Sequence, residues 1–337
     1  MEYAKSVRSA LRPKTLFASL CPVGISLSLL RISHDISVLR ADVLVALAVA
    51  ALVQLIANLN GVYSSFRRSM QPVATPIKDE SGNPQQQRIV LKYALLLVTL
   101  LTVAGDQLTL YILLVSLLTQ TQIKRWSYAL LALQLLLLGG AHVAHSKSIA
   151  TTSFIAVLVI AAFVYCRSDR TPVIPAAGAD ELVFAWATGP LAMLGTFYFI
   201  VDETPATAAP SGPVVFYAYI VLLFALSFQV VQSAKDAPFA RRLGVAETSL
   251  ALRLGFQGCF QGFLLLIVGC YGLLLVLAFV PGHVTNLLLL GSIIHLKGLS
   301  DDFRDERLHD LPVRVAKLGA FLGIGLVVSI SVSAVLL

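Results

Sequence analysis

Charged residues are scarce in this chain of 337 residues. Asp, Glu, Lys and Arg together make up 13% of it, whereas 57% is hydrophobic and the mean hydropathy is +0.83. A soluble globular domain carries roughly 25% charged residues, so this composition excludes one. Apolar runs close to the length of a bilayer crossing recur from end to end, and they predict an all-α polytopic membrane protein. We expect membrane lipids as partners and no nucleic acid.

Cysteine and histidine, the usual ligands of structural metals, are also sparse. The six histidines are scattered, and only His142 and His145 lie close together, beside Lys147. Their position predicts a water-exposed loop rather than a metal site. The four cysteines have no metal-ligand spacing, so we predict that they are small packing residues within helices: Cys21, Cys166, Cys259 and Cys270.

Nine apolar segments are predicted to cross the membrane, joined by polar connections on alternating faces. We call the face that holds the N-terminus side A and the opposite face side B. Of the 25 Lys and Arg residues, side B receives only Arg31, Arg40 and Lys147. The positive-inside rule therefore makes side A the cytosol-like or matrix-like face. The nine segments are Leu16–Leu30, Val43–Tyr63, Tyr128–Ala141, Phe154–Tyr165, Leu182–Val201, Val214–Val231, Phe256–Val280, Val284–Leu296 and Ala316–Leu337.

A further apolar stretch, Ile89–Thr119, does not fit this alternation. Both of its flanks, Arg88 and Lys124–Arg125, belong on side A as polar connections. Gly105-Asp106 divides it into halves that are short for a crossing of roughly 20 residues. We predict a re-entrant or tilted hairpin, inserted at 89–119 into a single domain that covers 1–337. A single long helix lying partly outside the bilayer is the alternative.

Four stretches, in order along the chain, resemble the UbiA superfamily of intramembrane prenyltransferases. The nearest match is its MenA-like branch, which includes the animal UbiA-domain protein that makes menaquinone. The resemblance implies a bundle of nine transmembrane helices around a central apolar cavity, with the 89–119 hairpin as an addition. The four stretches are LRPKTLFASLCPVG (11–24), ELVFAWATGPLAMLGTFYF (181–199), KDAPFARRLGVAETSLALRLG (235–255) and FRDERLHDLPVRVAKLGAFLG (303–323).

The resemblance also implies a chemistry. Magnesium ions bridge a prenyl diphosphate to carboxylates of two motifs, Asn-x-x-x-Asp after the second helix and Asp-x-x-x-Asp in a later loop, so that diphosphate leaves and an aromatic acceptor is prenylated. In the first motif Asn58 and Tyr63 match, but Ser65 stands at the aspartate position. In the second, Lys235 and Asp236 match, but Ala240 stands four residues on, and Pro238 is predicted to disturb the helical turn.

These departures favour loss of catalysis. We predict a UbiA-like protein that acts as a lipid-binding or structural subunit of a membrane assembly, with no cofactor. Bases near the degenerate motifs suit an anionic phospholipid or an isoprenoid held without metal. The residues expected at the head group are Asn58, Tyr63, Arg67, Arg68, Lys235, Arg241 and Arg242.

An active enzyme is the alternative. It would be a Mg2+-dependent prenyltransferase of quinone biosynthesis, with Asp236 as its catalytic and metal-binding carboxylate. A transporter is less favoured, because charges within the predicted crossings are nearly absent apart from Asp106. We expect an integral protein of the mitochondrial inner membrane, with the ER or Golgi membrane as the alternative, and other membrane subunits as possible partners.

Acidic residues also cluster near the end of the chain and resemble an aspartate-rich metal site. They alternate with Arg304, Arg307 and Arg314, and the family's second metal motif lies several helices earlier. We therefore predict a solvated side-A loop with internal ion pairs. The acidic residues are Asp301, Asp302, Asp305, Glu306 and Asp310.

Overall fold

The computed structural model describes residues 17–34, 40–70, 107–145, 147–167, 178–205, 209–242 and 250–336. At some helix ends, among them 57–70, 107–124 and 239–242, the description covers the backbone alone. Every regular element in these ranges is helical, which confirms the predicted all-α class.

The described residues form nine helical rods, in the order and number predicted. Rod α5 contains a π-helical turn, Ala187–Leu191, between α-helical Ala179–Trp186 and Ala192–Val201. Rod α8 begins as the 3-10 helix Val284–Ile293 and continues as the α-helix Ile294–Arg304. The other rods are α1 (Phe17–His34), α2 (Ala41–Met70), α3 (Gln107–His145), α4 (Ile149–Arg167), α6 (Gly212–Arg242), α7 (Leu250–Ala278) and α9 (Leu311–Leu336).

The rods close into a ring. Each packs against the next one along the chain, and α9 packs back against α1. Short connections between successive membrane helices give antiparallel neighbours, so this order follows from the alternation of apolar runs and polar connections. The predicted bundle of nine helices is therefore confirmed for the described residues.

Most of the rods match a membrane in length and composition. Five described stretches are long and apolar enough to cross one, and two more apolar helices, Ala41–Ile56 and Ile149–Phe163, are shorter. The five are Arg125–Ala144, Glu181–Val201, Gly212–Pro238, Leu250–Ala278 and Leu311–Ser333.

Rod α8 shows how a short apolar segment reaches across the bilayer. A 3-10 helix rises about 2.0 Å per residue, so Val284–Ile293 spans roughly 20 Å. The following α-helix Ile294–Arg304 adds about 16 Å. The rod is thus about 36 Å long, enough for a hydrocarbon core of roughly 30 Å.

Helix α3 corrects one prediction. It runs without interruption from Gln107 to His145, so Lys124–Arg125 is not a connection between helices. Gln107–Trp126 contains no Gly or Pro, and Lys and Arg are good helix formers, so two basic residues do not end the helix. At 39 residues it is about 58 Å long and extends beyond the side-A end of the Arg125–Ala144 crossing. Ile89–Asp106, with the predicted hairpin tip, lies outside the described residues.

Three predicted side-B connections meet at a buried ion pair. Lys147 Nζ lies 3.2 Å from Asp42 Oδ2, and the two side chains are 5% and 2% exposed. The same ammonium donates to the Ile200 carbonyl at 3.0 Å and lies 5.5 Å from the centre of the Phe199 ring. The starts of α2 and α4 and the end of α5 are therefore on one face, as the charge pattern predicts. The predicted water-exposed loop at His142 and His145 is wrong, because both residues belong to the last turn of α3. Lys147 beside them is buried, since its ammonium pairs with this carboxylate.

A second polar network joins α6, α8 and α9 near side B. Asn286 Nδ2 donates to the Tyr217 hydroxyl at 2.6 Å, and that hydroxyl lies 3.0 Å from His283 Nδ1. Burial lowers the pKa of His283, which favours the neutral ring with Nδ1 as acceptor. Ser329 Oγ donates to Asn286 Oδ1 at 2.8 Å and lies 2.7 Å from Thr285 Oγ1. These bonds satisfy polar groups that would be costly in an apolar bundle.

Glycine lets α9 approach α1 closely. A Cβ added to Gly323 would lie 2.7 Å from Cys21 Cβ, an atom so near the backbone that it cannot swing away. We expect Gly323→Ala to lower the free energy of unfolding by about 1–3 kcal/mol through overpacking. The measurement is the midpoint of thermal unfolding in one detergent.

Gly272→Ala is the matched control for this change. Gly272 lies within α7 with no atom near the position of an added Cβ. Since alanine is the better helix former, its midpoint should stay the same or rise. Equal losses for the two variants would mean that the contact between α1 and α9 is not close-packed.

Candidate functional site

The side-A end of α6 carries the second degenerate motif. Helix α6 continues through Pro238 to Arg242, so the predicted disturbance at Pro238 is wrong. A proline removes the hydrogen bond to the carbonyl four residues earlier, here that of Ala234. The lost hydrogen bond lies a little over one turn before the helix ends at Arg242. Few further backbone hydrogen bonds follow it, so the end of the helix still forms. The motif is therefore the last part of a helix rather than a loop.

Because the helix is continuous, residues four apart share one face of α6. Gln232, Asp236 and Ala240 follow each other on this face, which gives it a single carboxylate. Gln232 Nε2 donates to Asp236 Oδ2 at 2.7 Å. The exposed Asp236 carboxylate thus already accepts a hydrogen bond from within its own helix.

Lys235 ties α6 to the connection between α8 and α9. Its Nζ donates to the backbone carbonyl of His309 at 3.0 Å. Ser233 Oγ accepts a hydrogen bond of 3.3 Å from the backbone N–H of Ala251, at the start of α7. Gly255, with φ 71° and ψ 173°, then breaks α7, a conformation that favours glycine. The Leu-Gly pair therefore lies at a break between two parts of α7.

Two acids of the cluster near the end of α8, Asp302 and Asp305, form ion pairs with neighbouring arginines. Asp302 pairs with Arg314, and its other oxygen lies 3.9 Å from Arg307. Arg307 also lies 3.1 Å from Asp305. The predicted internal ion pairs are confirmed. Within the described residues, no group of three or more His, Cys, Asp or Glu side chains is placed to hold a metal ion.

The first degenerate motif lies in the second half of α2, and the structure describes its backbone alone. Helix α2 begins at the side-B ion pair of Asp42 and ends at Met70, so its second half points towards side A. Four of the predicted head-group residues are in this half: Asn58, Tyr63, Arg67 and Arg68. Arg241 and Arg242 are the last two residues of α6 and also reach side A. Convergence of these side chains with Lys235 and Asp236 stays a prediction.

One acidic residue at the side-A end of the bundle, Glu181, was not among the predicted functional residues. Glu181 lies in the first turn of α5 and is partly buried; its Oε2 atom has no hydrogen-bond partner among the described residues. Acids are common in the first turn of a helix, so the sequence alone gave no signal to separate Glu181 from ordinary helix starts.

A cavity of about 320 Å³ opens at the surface between α8 and α9. Exposed apolar side chains line it, among them Leu288, 82% exposed, and Phe321, 57% exposed. This exposed apolar lining is typical of a groove that faces lipid, and it differs from the enclosed central cavity implied by the family resemblance. The central cavity stays a prediction, because much of α2 and α3 that would border it is described by backbone alone.

No family model matches the chain, and no curated protein matches it. The chain is similar to a solved structure of digeranylgeranylglyceryl phosphate synthase in membranes. The TM-score is 0.52 at 15% sequence identity, and the similarity covers 100% of both chains. That synthase is a membrane prenyltransferase of the UbiA superfamily.

At this identity the similarity shows the fold. The predicted UbiA-like bundle is therefore confirmed, and together with the five apolar helices it makes the chain an integral membrane protein. Membership of the MenA-like branch and the degeneracy of the motifs stay predictions.

Proposed function

We propose that this protein uses a UbiA-type fold to bind a membrane lipid and has lost prenyl transfer. One observation carries the proposal: the continuous face of α6 at the second motif offers a single carboxylate, Asp236, already hydrogen-bonded by Gln232. A four-residue spacing of two aspartates would aim both at one metal. Here Ala240 takes the second place.

The donor set does not fit the metal chemistry of active UbiA prenyltransferases. Magnesium bridges the diphosphate to carboxylates so that it leaves as a stable anion. The first motif has Ser65 at its aspartate position, and Asp302 and Asp305, near the end of α8, are paired with Arg307 and Arg314. We therefore assign no step of this protein to bound magnesium.

Bases take the place of the metal in the proposed site. Phosphate oxygens that lack magnesium need Arg or Lys donors, and each charge-assisted bond contributes roughly 1.5–3 kcal/mol. The side-A ends of α2 and α6 carry Arg67, Arg68, Arg241 and Arg242. The name of the structural neighbour's product, an isoprenoid glyceryl phosphate, combines the same two parts, an anionic head and apolar chains. Apolar walls would hold the chains.

The alternative is an active Mg2+-dependent prenyltransferase acting on an aromatic acceptor of the quinone type. It is favoured by the retained, exposed Asp236 and by the fold shared along the whole chain with a prenyltransferase. The mitochondrial inner membrane, and other membrane subunits as partners, are proposals under either function.

Two assays on the purified full-length protein separate the alternatives. In the first, a labelled prenyl diphosphate, an aromatic acceptor and Mg2+ are supplied, and no transfer above background is expected. The control variants are Asp236→Ala and Asp301→Ala, the latter an exposed acid near the end of α8. Transfer that needs Mg2+, disappears in Asp236→Ala and persists in Asp301→Ala would overturn the loss of catalysis.

In the second assay, native mass spectrometry measures the lipid that the protein retains from anionic phospholipid vesicles. Changing Arg241 and Arg242 together to Ala should reduce retention by roughly a hundredfold or more, because two charge-assisted bonds are lost. Arg31→Ala on side B is the control and should leave retention unchanged. Equal retention by the natural protein, the double variant and Arg31→Ala would contradict the proposed site. The two arginines would then serve only to set the orientation of the protein in the membrane.

A further inference from the structure

The groove between α8 and α9 offers apolar walls to whatever fills it. Its volume is about 320 Å³, and exposed apolar side chains of both helices line it. Thr285 and Ser329 also line it, but their hydroxyl oxygens lie 2.7 Å apart and are already hydrogen-bonded. The groove therefore suits a hydrocarbon chain, and a polar part of the same molecule must bind beyond one of its ends.

On α9, the face that lines the groove continues to a lysine. Phe321, Ile324 and Val328 line the groove and follow each other at spacings of three and four residues. Lys317 is four residues before Phe321, so it lies on the same face, about 6 Å closer to side A. Its side chain is exposed. Lys317 therefore stands at the side-A end of the groove.

On α8, the corresponding face also ends in a lysine. Residues three apart share a face of a 3-10 helix, and Thr285 and Leu288 line the groove. Two further steps of three residues lead to Ile294, which is 78% exposed and begins the α-helical part. Lys297 follows three residues later and is exposed as well. A second lysine thus lies on a face that lines the groove.

The two lysines stand at nearly the same level. Gly325 packs against Leu289, since an added Cβ would overlap Leu289 Cδ2. Lys317 is about 12 Å closer to side A than Gly325, and Lys297 is about 14 Å closer than Leu289. Packed helices lie about 8–10 Å apart, and lysine has a long, flexible side chain. Both ammonium groups therefore reach a single phosphate between them.

This level coincides with the side-A boundary of the bilayer. From Lys317 to Leu336, α9 is about 28 Å long, close to a hydrocarbon core of roughly 30 Å. Arg314 is neutralised by Asp302, so it adds no free charge here. The exposed Asp301, one turn beyond Lys297, is the nearest acid along that face of α8. The two lysines outnumber it, and the end of the groove favours an anion.

We propose that this groove holds an acyl chain of an anionic phospholipid from the side-A leaflet, and that Lys297 and Lys317 bind its phosphate. Charge complementarity selects this occupant, and cytoplasmic leaflets are rich in anionic lipids. Phosphatidylcholine carries its own cation beside the phosphate and gains less from the lysines. The site is on the outer surface of the bundle, separate from the proposed site at the ends of α2 and α6. It therefore does not depend on loss of prenyl transfer.

The experiment uses a tryptophan that reports on this groove alone. Phe321→Trp is introduced into the full-length protein after Trp126→Phe and Trp186→Phe have removed its two natural tryptophans. Bilayers that contain brominated phosphatidylglycerol or brominated phosphatidylcholine then quench its fluorescence on contact. We expect a roughly thirtyfold higher affinity for phosphatidylglycerol, because two lysines near the surface attract it. Leu265→Trp, on the exposed face of α7, is the control reporter and should show no preference.

Two further variants test the lysines. Lys297→Gln combined with Lys317→Gln should bring the ratio of affinities close to one. Arg125→Gln combined with Arg253→Gln removes the same charge from exposed side-A positions on α3 and α7, and should leave the ratio unchanged. A preference that survives the lysine changes, or one that both pairs of changes abolish equally, overturns the proposed phosphate site.

The reporter alone also decides the occupant. Equal quenching of Phe321→Trp by the two lipids overturns the proposal, and this result needs no change at the lysines. Little quenching by either lipid would mean that a protein helix, such as one from a second copy of the chain, covers the groove, and it would overturn the proposal as well. Changing Arg241 and Arg242 to Ala should leave the quenching unchanged, so the proposed function and this groove are tested separately.

Discussion

Replacing Asp42 with Asn is expected to lower the free energy of unfolding by about 3–5 kcal/mol, because it leaves the buried Lys147 ammonium without its counter-ion. In the natural protein this ammonium lies 3.2 Å from Asp42 Oδ2. Arg40 completes the group from the more exposed side, with its NH2 2.6 Å from the same oxygen. Among the described residues, Lys147 then keeps the Ile200 carbonyl, the face of Phe199 and at most a neutral amide oxygen at position 42, none of which carries a negative charge. The measurement is thermal or denaturant unfolding in mild detergent.

A double change makes this test specific. Combining Asp42→Asn with Lys147→Met removes both buried charges, so much of the lost stability should return. Arg307→Ala, which breaks an exposed ion pair with Asp305, is the surface control and should cost at most about 1 kcal/mol. A loss for Asp42→Asn no larger than for Arg307→Ala would show that the side-B pair is solvated.

The ion pair of Asp42 and Lys147 also shows what the sequence alone does not predict, namely the burial of a charged side chain. Charge counting put Arg40 and Lys147 on the same face, and both contact Asp42, but it gave no sign that Lys147 is buried. Nothing near Lys147 in sequence reveals its partners, since Asp42 and Ile200 belong to other helices. Burial of a charge depends on tertiary contacts that a one-dimensional pattern does not contain.

The helices themselves were predictable, because apolar length and the sides of the polar connections follow from the bilayer. The exceptions have local causes. Helix α3 passes through Lys124–Arg125 because charged side chains alone do not end a helix. Helix α6 passes through Pro238 because one lost hydrogen bond near a helix end costs little.

The candidate site was predictable in part. Lys235 and Asp236 were identified from the family motif, and the structure places them at the side-A end of α6. Their partners were not predictable, because Lys235 donates to a backbone carbonyl, that of His309, and any residue supplies such an acceptor. Glu181 was missed because the burial of its Oε2 atom depends on contacts with other helices.

Phe303→Ala is expected to have the other large effect, a loss of about 3–5 kcal/mol in the free energy of unfolding. Phe303 is fully buried near the end of α8. Three phenylalanines of α7 surround it edge to face, with ring centres 5.4 Å away for Phe256, 5.7 Å for Phe260 and 5.4 Å for Phe263. The change leaves a cavity and removes three aromatic contacts of roughly 0.5–1.5 kcal/mol each. Because the His309 carbonyl that holds Lys235 follows in the chain, lipid retention at side A should also fall.

Phe321→Ala is the control, because it removes an aromatic ring that is not buried between helices. Phe321 lies on α9 and is 57% exposed, so its replacement should change the free energy of unfolding by less than about 1 kcal/mol and leave the unfolding midpoint nearly the same. A third variant, Phe303→Leu, keeps most of the buried volume and should lie between the two. If Phe303→Ala and Phe321→Ala unfold at the same midpoint, the contact between α7 and α8 does not stabilise the side-A end. Contacts other than the packing of Phe303 would then have to hold the His309 carbonyl beside Lys235.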